Sequence, residues 1–266
     1  MKHTIYQGNS LERLKEIGDD SVHLTVTSPP YFNAKEYNKE EDNVGNNNCY
    51  YDYLESVRKI IKELYEITVP GGIVIWNTSP VIDNGKRHMI PLDTHTLFIE
   101  EGFSCRDRIM WVKPDGAAGI RCGGWVVNKG KPMTWHPNLV FEDVMVYLKP
   151  GERKQGEYSN IKKYYPDGTP KDLLTDIWKI NPETQTRWHD APYPEELVKR
   201  CVLLYSFTGD TVLDPFLGSG TTMKVAKEMG RNSIGIELSP EYIEKAKIKI
   251  GFNQKGLFTQ EEYEEK

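Results

Sequence analysis

The sequence predicts an α/β fold built on a mostly parallel sheet. Segments of strand character alternate with segments of helical character along most of its 266 residues. Residues 22–26 read as a strand that stops at the consecutive prolines Pro29 and Pro30, which cannot continue a sheet ladder. Residues 211–214 read as a second strand, followed by a glycine-rich turn and a helix. Because ligands bind outside the carboxyl ends of strands in open α/β sheets, both features predict a site at one edge of the sheet.

The other elements follow from local patterns. Residues 4–6 form a short predicted strand, after which Ser10 is a predicted cap for a helix that extends to Ile17. Apolar residues at helical spacing predict a helix over 51–68 that ends at Pro70-Gly71-Gly72, and the apolar run 73–76 predicts a buried parallel strand. The remaining predicted elements are a helix over 90–101, strands over 108–112 and 140–148, a helix over 221–229, a strand over 232–236 and a helix that begins at Ser239-Pro240.

Composition limits the class of protein. With 38% hydrophobic and 27% charged residues, the chain is predicted to form a single globular domain over 1–266, with inserted segments at approximately 113–138 and 149–175. The N-terminus lacks the apolar run of a signal peptide and no stretch reaches membrane-spanning length, so we expect a cytoplasmic protein with no membrane partner. Scattered cysteines and histidines predict no disulfide and no metal.

The two inserted segments carry a local positive charge in a chain whose net charge is −5. Residues 106–135 hold six basic and two acidic residues, and residues 149–166 hold five basic and two acidic ones, interleaved with aromatic residues. This combination favours phosphate contacts and base stacking over an ordinary solvated loop. The candidate DNA-binding residues are Arg121, Lys129, Lys131, Arg153, Lys154, Lys162 and Lys163.

The glycine-rich turn has the features of a nucleoside-binding site. Gly218 and Gly220 allow close backbone approach at the start of a helix, and Glu237 ends the next strand, where its carboxylate can accept both hydroxyls of a ribose. Met223 stands where a dinucleotide motif requires glycine, which disfavours a dinucleotide, and no Walker lysine pattern is present.

Three motifs together resemble the DNA amino-methyltransferases that use S-adenosylmethionine. They are Ser28-Pro29-Pro30-Tyr31, then Asp214-Pro215-Phe216-Leu217-Gly218-Ser219-Gly220-Thr221-Thr222, and Glu237. Their order resembles the permuted β group, in which the catalytic motif precedes the cofactor motif. The resemblance implies a Rossmann-like methyltransferase fold, with a mixed seven-stranded sheet, helices on both faces and circularly permuted motifs. It also implies double-stranded DNA as the partner and leaves open a cognate restriction endonuclease and a homodimer.

The resemblance assigns roles to these residues. Ser28 and the Pro29 carbonyl would accept the amino hydrogens of a flipped base, and Tyr31 would stack on that base. The cofactor would contact Asn9, Asp214, Pro215, Phe216, Gly218, Ser219, Gly220, Thr221, Thr222 and Glu237. Because Ser at position 28 is more typical of cytosine-N4 relatives than of adenine-N6 relatives, we expect cytosine-N4 methylation, with adenine-N6 as the alternative.

Other functions are less favoured by the residues. None of the four cysteines follows a proline, which disfavours cytosine-C5 methyltransferases. RNA and protein methyltransferases that share a Pro-Pro-Tyr motif normally carry the cofactor motif first. Ser28, Asp214 and Glu237 argue against a DNA-binding module without catalysis.

Overall fold

The structure, a computed structural model, describes residues 1–32, 49–114, 139–153, 155–183, 194–252 and 262–266. The described strands are β1 (Lys2–Gln7), β2 (Val22–Thr27), β3 (Thr68–Thr78), β4 (Val81–Asp83), β5 (Lys86–His88), β6 (Ser104–Val112), β7 (Phe141–Leu148), β8 (Ile177–Lys179), β9 (Thr211–Asp214), β10 (Asn232–Glu237) and β11 (Glu262–Glu265). The described helices are α1 (Ser10–Leu14), α2 (Tyr50–Ile67), α3 (Ile90–Glu100), α4 (Ile161–Tyr164), α5 (Glu195–Tyr205), α6 (Thr221–Glu228) and α7 (Pro240–Ile250).

Nine of these strands form one sheet in the order β11-β1-β10-β9-β2-β3-β7-β6-β8, and β4 and β5 form a separate hairpin. Within the described sheet β7 is antiparallel to its neighbours β3 and β6, and the other pairings are parallel. The parallel strands β1, β2, β3, β9 and β10 therefore all end at one edge, which we call the carboxyl edge. Their first residues lie at the opposite, amino edge.

Strand β3 shows why both faces of the sheet are covered. Side chains alternate between the two faces of a strand. Val74 and Trp76 pack in a cluster with residues of α2 and α3, whereas Ile73 and Ile75 pack in a second cluster with residues of α5 and α6. A third, smaller cluster joins α7 to the start of α6. The uninterrupted apolar run of β3 follows from this burial on both sides.

Several boundaries differ from the predictions. The sheet has nine described strands where the family resemblance implied seven, because β8 and β11 each add a short strand at an edge. Helix α2 ends at Ile67, and Pro70-Gly71-Gly72 lies inside β3, where the pairing with β2 shifts register. Helix α1 ends at Leu14, and its cap is Asn9, whose side chain accepts from the Leu11 amide. Residues 36–48, whose polar, asparagine-rich sequence without periodicity predicts a loop, lie outside the described residues. No helix in the described ranges is long and apolar enough to cross a membrane.

Candidate active site

The Ser-Pro-Pro-Tyr motif lies at the carboxyl edge, directly after β2. Thr27 is the last residue of the strand, and the two prolines then turn the chain out of the sheet. Ser28 is partly exposed, whereas Tyr31 retains only 9% of its surface. The Ser28 Oγ lies 3.2 Å from the Tyr31 hydroxyl, so the motif brings these two side chains together.

A buried polar cluster that the sequence did not reveal surrounds the Tyr31 hydroxyl. Tyr31 donates to Glu142 Oε2 at 3.1 Å, and Asn77 Nδ2 donates to the same oxygen at 2.8 Å. Lys113 Nζ donates to Glu142 Oε1 at 2.7 Å. Asn77 Nδ2 also lies 3.4 Å from Ser28 Oγ. The cluster forms because β3 ends beside β2, and β7 begins beside the end of β3. No local sequence pattern indicates these pairings.

The carboxylate of Asp214 is committed to protein donors. Its side chain is fully buried at the end of β9, and it accepts from the Thr27 hydroxyl at 2.8 Å, the Thr222 hydroxyl at 2.7 Å and the Phe216 amide at 3.1 Å. Asp214 therefore joins the end of β2 to the start of α6. These contacts give it a structural role beside the predicted role in cofactor binding.

The glycine-rich turn folds back onto Glu237. Gly218 and Gly220 have φ values of +53° and +85°, in the left-handed region that favours glycine. The Gly218 amide donates to Glu237 Oε2 at 2.8 Å, and the Ser239 amide donates to Oε1 at 2.9 Å. Burial raises the pKa of the Glu237 carboxyl, and these two amide hydrogen bonds oppose that rise.

The end of β1 completes this part of the carboxyl edge. The Gly8 amide donates to the Glu237 carbonyl at 2.9 Å, so Asn9 lies beside the end of β10. Ser10 Oγ donates to the Pro215 carbonyl at 2.5 Å. Phe216, Ser219 and Thr221 lie in or next to the turn that follows β9. The structure thus brings together all the predicted cofactor residues at the ends of β1, β9 and β10.

The predicted DNA-binding residues have different locations. Arg121, Lys129, Lys131 and Lys154 lie outside the described residues. Lys162 and Lys163 are exposed on α4. Arg153 is paired with Asp210, directly before β9 starts, and therefore lies at the amino edge, away from Ser28. The ion pair with Asp210 gives the positive charge of Arg153 a partner within the protein, so its presence does not require a contact with DNA.

The neighbours of α4 also lie toward the amino edge. Ser159 accepts from Arg231, directly before β10, and the Tyr164 hydroxyl donates to the Met229 carbonyl, directly after α6. Since β2 has six residues, the two edges are roughly 20 Å apart. By contrast, β6 ends and β7 begins at the carboxyl edge, where Val112 pairs with Phe141, and Arg121 lies between these two strands in the sequence.

Comparisons with known proteins identify the family. The family model described as DNA methylase matches residues 22–248. The Type II methyltransferase M.MjaI of Methanocaldococcus jannaschii is 31% identical, over 96% of this chain and 93% of its own length. M.BglII of Bacillus subtilis is also 31% identical, over 90% of this chain, which spans 66% of that relative. The chain spans 26% of M.BslI from a Bacillus species, to which it is 29% identical.

Solved structures show the same architecture. A DNA modification methylase of Thermus thermophilus, solved in complex with S-adenosyl-L-methionine, is 26% identical with a TM-score of 0.68, over 98% of this chain and 99% of that one. The PvuII DNA methyltransferase, described as cytosine-N4-specific, is 22% identical with a TM-score of 0.69, over 97% of this chain and 90% of that one. These likenesses confirm the predicted fold class.

Proposed function

The chain belongs to the DNA methylase family, and from this we propose that it transfers a methyl group from S-adenosylmethionine to an exocyclic amino group of a base in double-stranded DNA. One observation carries the proposal. The Ser28 motif and the Gly218 turn, far apart in the chain, meet at the carboxyl edge, where Thr27 donates to Asp214 at 2.8 Å. An acceptor for amino hydrogens thereby lies beside a turn suited to a nucleoside cofactor.

The residues at the ends of β1, β9 and β10 fit this cofactor. The partly buried Glu237 carboxylate accepts one amide at each oxygen, and a carboxylate oxygen can accept a further hydrogen bond from a ribose hydroxyl. Gly218 and Gly220 give the turn the positive φ values that it requires, and a side chain at Gly220 would meet Ala246 of α7 at 3.0 Å. When bound, S-adenosylmethionine supplies an electrophilic methyl group on a sulfonium.

Ser28 and Tyr31 would prepare the amino group. The exocyclic nitrogen is a poor nucleophile because its lone pair is delocalised into the ring. Ser28 Oγ and the Pro29 carbonyl would accept its hydrogens and turn the lone pair toward the methyl donor, while the Tyr31 ring would stack on the flipped base. Such a transfer requires alignment more than a strong base.

We propose cytosine N4 as the target atom. The support is Ser28: a serine hydroxyl is a short, uncharged acceptor that brings the base edge close to the backbone, which suits the smaller pyrimidine. The test is to digest DNA methylated by the enzyme to nucleosides and to weigh them. N4-methyl-2′-deoxycytidine alone supports the proposal, and N6-methyl-2′-deoxyadenosine alone replaces it with the adenine alternative. Ser28→Ala should preserve cofactor affinity and remove most of the turnover.

We further propose that Arg121, Lys129 and Lys131 contact DNA phosphates. Their segment follows β6 and precedes β7, so both of its ends lie at the carboxyl edge with Ser28. Replacing all three by methionine should weaken DNA binding and reduce its salt dependence. The matched control is Lys162→Met with Lys163→Met, because α4 contacts residues toward the amino edge. If only the control changes the salt slope, the DNA surface lies on α4.

Two partners belong to the same proposal. A cognate restriction endonuclease is proposed because relatives are named Type II methyltransferases. A homodimer is proposed from the sequence resemblance alone. The DNA substrate also motivates the predicted cytoplasmic location. Plasmid DNA from an expressing host should resist a restriction endonuclease that cuts the same recognition sequence only when it is unmethylated. Sedimentation of the purified protein gives its oligomeric state.

A further inference from the structure

We propose that Glu142, held by Lys113, positions Tyr31 and Asn77 and through them sets the hydrogen-bond direction of Ser28. This inference rests on the proposed function, since it concerns the residues that would face the target amino group. It adds to the site three residues that are distant from Ser28 in the sequence: Asn77, Lys113 and Glu142.

The burial of the ion pair is the first observation. Glu142 and Lys113 retain 2% and 6% of their surface, and their side chains meet at 2.7 Å. A buried ion pair often stabilises a fold no more than an apolar pair of the same volume would. The presence of this ion pair next to the Tyr31 hydroxyl is therefore better explained by the groups that the carboxylate binds than by a contribution to stability.

The donors around the carboxylate are the second observation. An ionised carboxylate only accepts hydrogen bonds. The Tyr31 hydroxyl therefore donates its proton to Glu142, at 3.1 Å, in preference to the neutral and more distant backbone carbonyl of Asn77, at 3.4 Å. Asn77 must likewise present its amide nitrogen, which lies 2.8 Å from the same oxygen. One charged group thus fixes the orientation of both neighbours.

The orientation of Tyr31 then determines that of Ser28. Ser28 Oγ and Tyr31 Oη lie 3.2 Å apart, and either could donate in isolation. Because the Tyr31 proton is already donated to Glu142, Ser28 is the donor in this pair. A hydroxyl that donates to Tyr31 keeps its lone pairs as acceptors, and Asn77 is too distant, at 3.4 Å, to occupy one strongly. Ser28 is thereby oriented to accept an amino hydrogen of the base.

The first test uses Glu142→Gln. The glutamine amide cannot accept from Lys113, Tyr31 and Asn77 together, because one of its two polar atoms is a donor. We expect kcat to fall about 10- to 100-fold, while the affinity for S-adenosylmethionine, measured by calorimetry, stays within about twofold. Tyr31→Phe keeps the ring and removes the hydroxyl, so the double variant should lose little more than either single one.

The second test uses Lys113→Met and measures kcat against pH. Without the ammonium group, the pKa of Glu142 should rise, and its protonated form would cease to accept from Tyr31. Among the described residues, the titratable groups that hydrogen-bond to Glu142 are Lys113 and Tyr31, and the adjacent Asp143 is paired with Arg108. We expect kcat of Lys113→Met to fall as the pH is lowered, over a range where the wild type is constant. Lys113→Arg should restore the wild-type profile, and Glu142→Gln added to Lys113→Met should remove the pH dependence.

The matched control is Lys149→Met. Lys149 also forms an ion pair next to β7, but with Asp20 at the opposite end of the strand, and its loss should leave the pH profile of kcat unchanged.

A crystal structure of Glu142→Gln provides a readout that does not depend on activity: the Tyr31 hydroxyl should move away from Ser28. Unchanged kcat and an unmoved Tyr31 in that variant would overturn the inference. A wild-type protein that methylates no DNA would instead overturn the proposed function, and the displacement of Tyr31 would still decide the inference.

Discussion

Glu237→Gln replaces one oxygen of the carboxylate that ends β10 with an amino group. In the wild type one oxygen accepts from the Gly218 amide at 2.8 Å and the other from the Ser239 amide at 2.9 Å. Glutamine can accept only one of these bonds. The substitution also removes the negative charge of the acceptor in the two hydrogen bonds proposed to the ribose hydroxyls. A hydrogen bond to a charged acceptor contributes about 1–1.5 kcal/mol more than a neutral one, so two bonds amount to about 2–3 kcal/mol.

This free energy corresponds to a Kd for S-adenosylmethionine that is about 30- to 150-fold higher. Isothermal titration calorimetry without DNA measures it directly. Glu241→Gln is the control, since Glu241 lies four residues later on α7, with its side chain 77% exposed and paired only at the surface with Lys245. An unchanged Kd in Glu237→Gln would refute the assignment of Glu237 to the ribose.

The raised pKa of Glu237 gives a second measurement on the same pair of proteins. Burial favours the protonated carboxyl, which no longer accepts a hydrogen bond at that oxygen. Cofactor affinity in the wild type should therefore fall as the pH is lowered through this raised pKa. Glu237→Gln should show no such fall, because an amide does not titrate.

Three further predictions concern residues around the site and the amino edge. Thr27→Val removes a donor to the buried Asp214 and should lower the free energy of unfolding in urea by about 1–3 kcal/mol. Arg153→Met should lower the melting temperature and leave DNA affinity and its salt slope unchanged, in contrast to the insert variants. Burial lowers the pKa of His23, so the unfolded chain binds a proton that the folded chain does not, and stability should fall as the pH drops below about 6.5. Calorimetry at pH 5 and pH 8 should show a smaller difference for His23→Gln.

The central strands could be predicted because their local patterns suffice. Residues 22–26, 73–76, 211–214 and 232–236 all lie in strands of the structure, where apolar side chains are buried on one or both faces. The three-residue strand β8 could not be predicted in this way. Its pairing with β6 holds it in place, and that pairing depends on residues far away in the chain.

Charge was harder to interpret than hydrophobicity. Seven of the eleven basic residues counted over 106–135 and 149–166 are among the described residues, and four of these seven form ion pairs with acidic residues outside both ranges. The pairs are Arg108 with Asp143, Lys113 with Glu142, Lys149 with Asp20, and Arg153 with Asp210. A count along the sequence cannot detect such partners, since the sheet brings them together. The local positive charge is therefore smaller than that count indicates, and the DNA-binding hypothesis rests mainly on Arg121, Lys129 and Lys131.

The hydrogen bond between Thr27 and Asp214 explains how the site tolerates its order of motifs. These residues are 187 positions apart in the chain, yet they end the adjacent parallel strands β2 and β9. Thr222, at the start of α6, donates to the same carboxylate and lies 3.3 Å from the Val26 carbonyl. The distance between the Ser28 hydroxyl and the glycine-rich turn is thus set by one buried carboxylate and the sheet, whichever motif comes first. Because methyl transfer depends on alignment of the reacting groups, this fixed spacing is what a permuted chain must preserve.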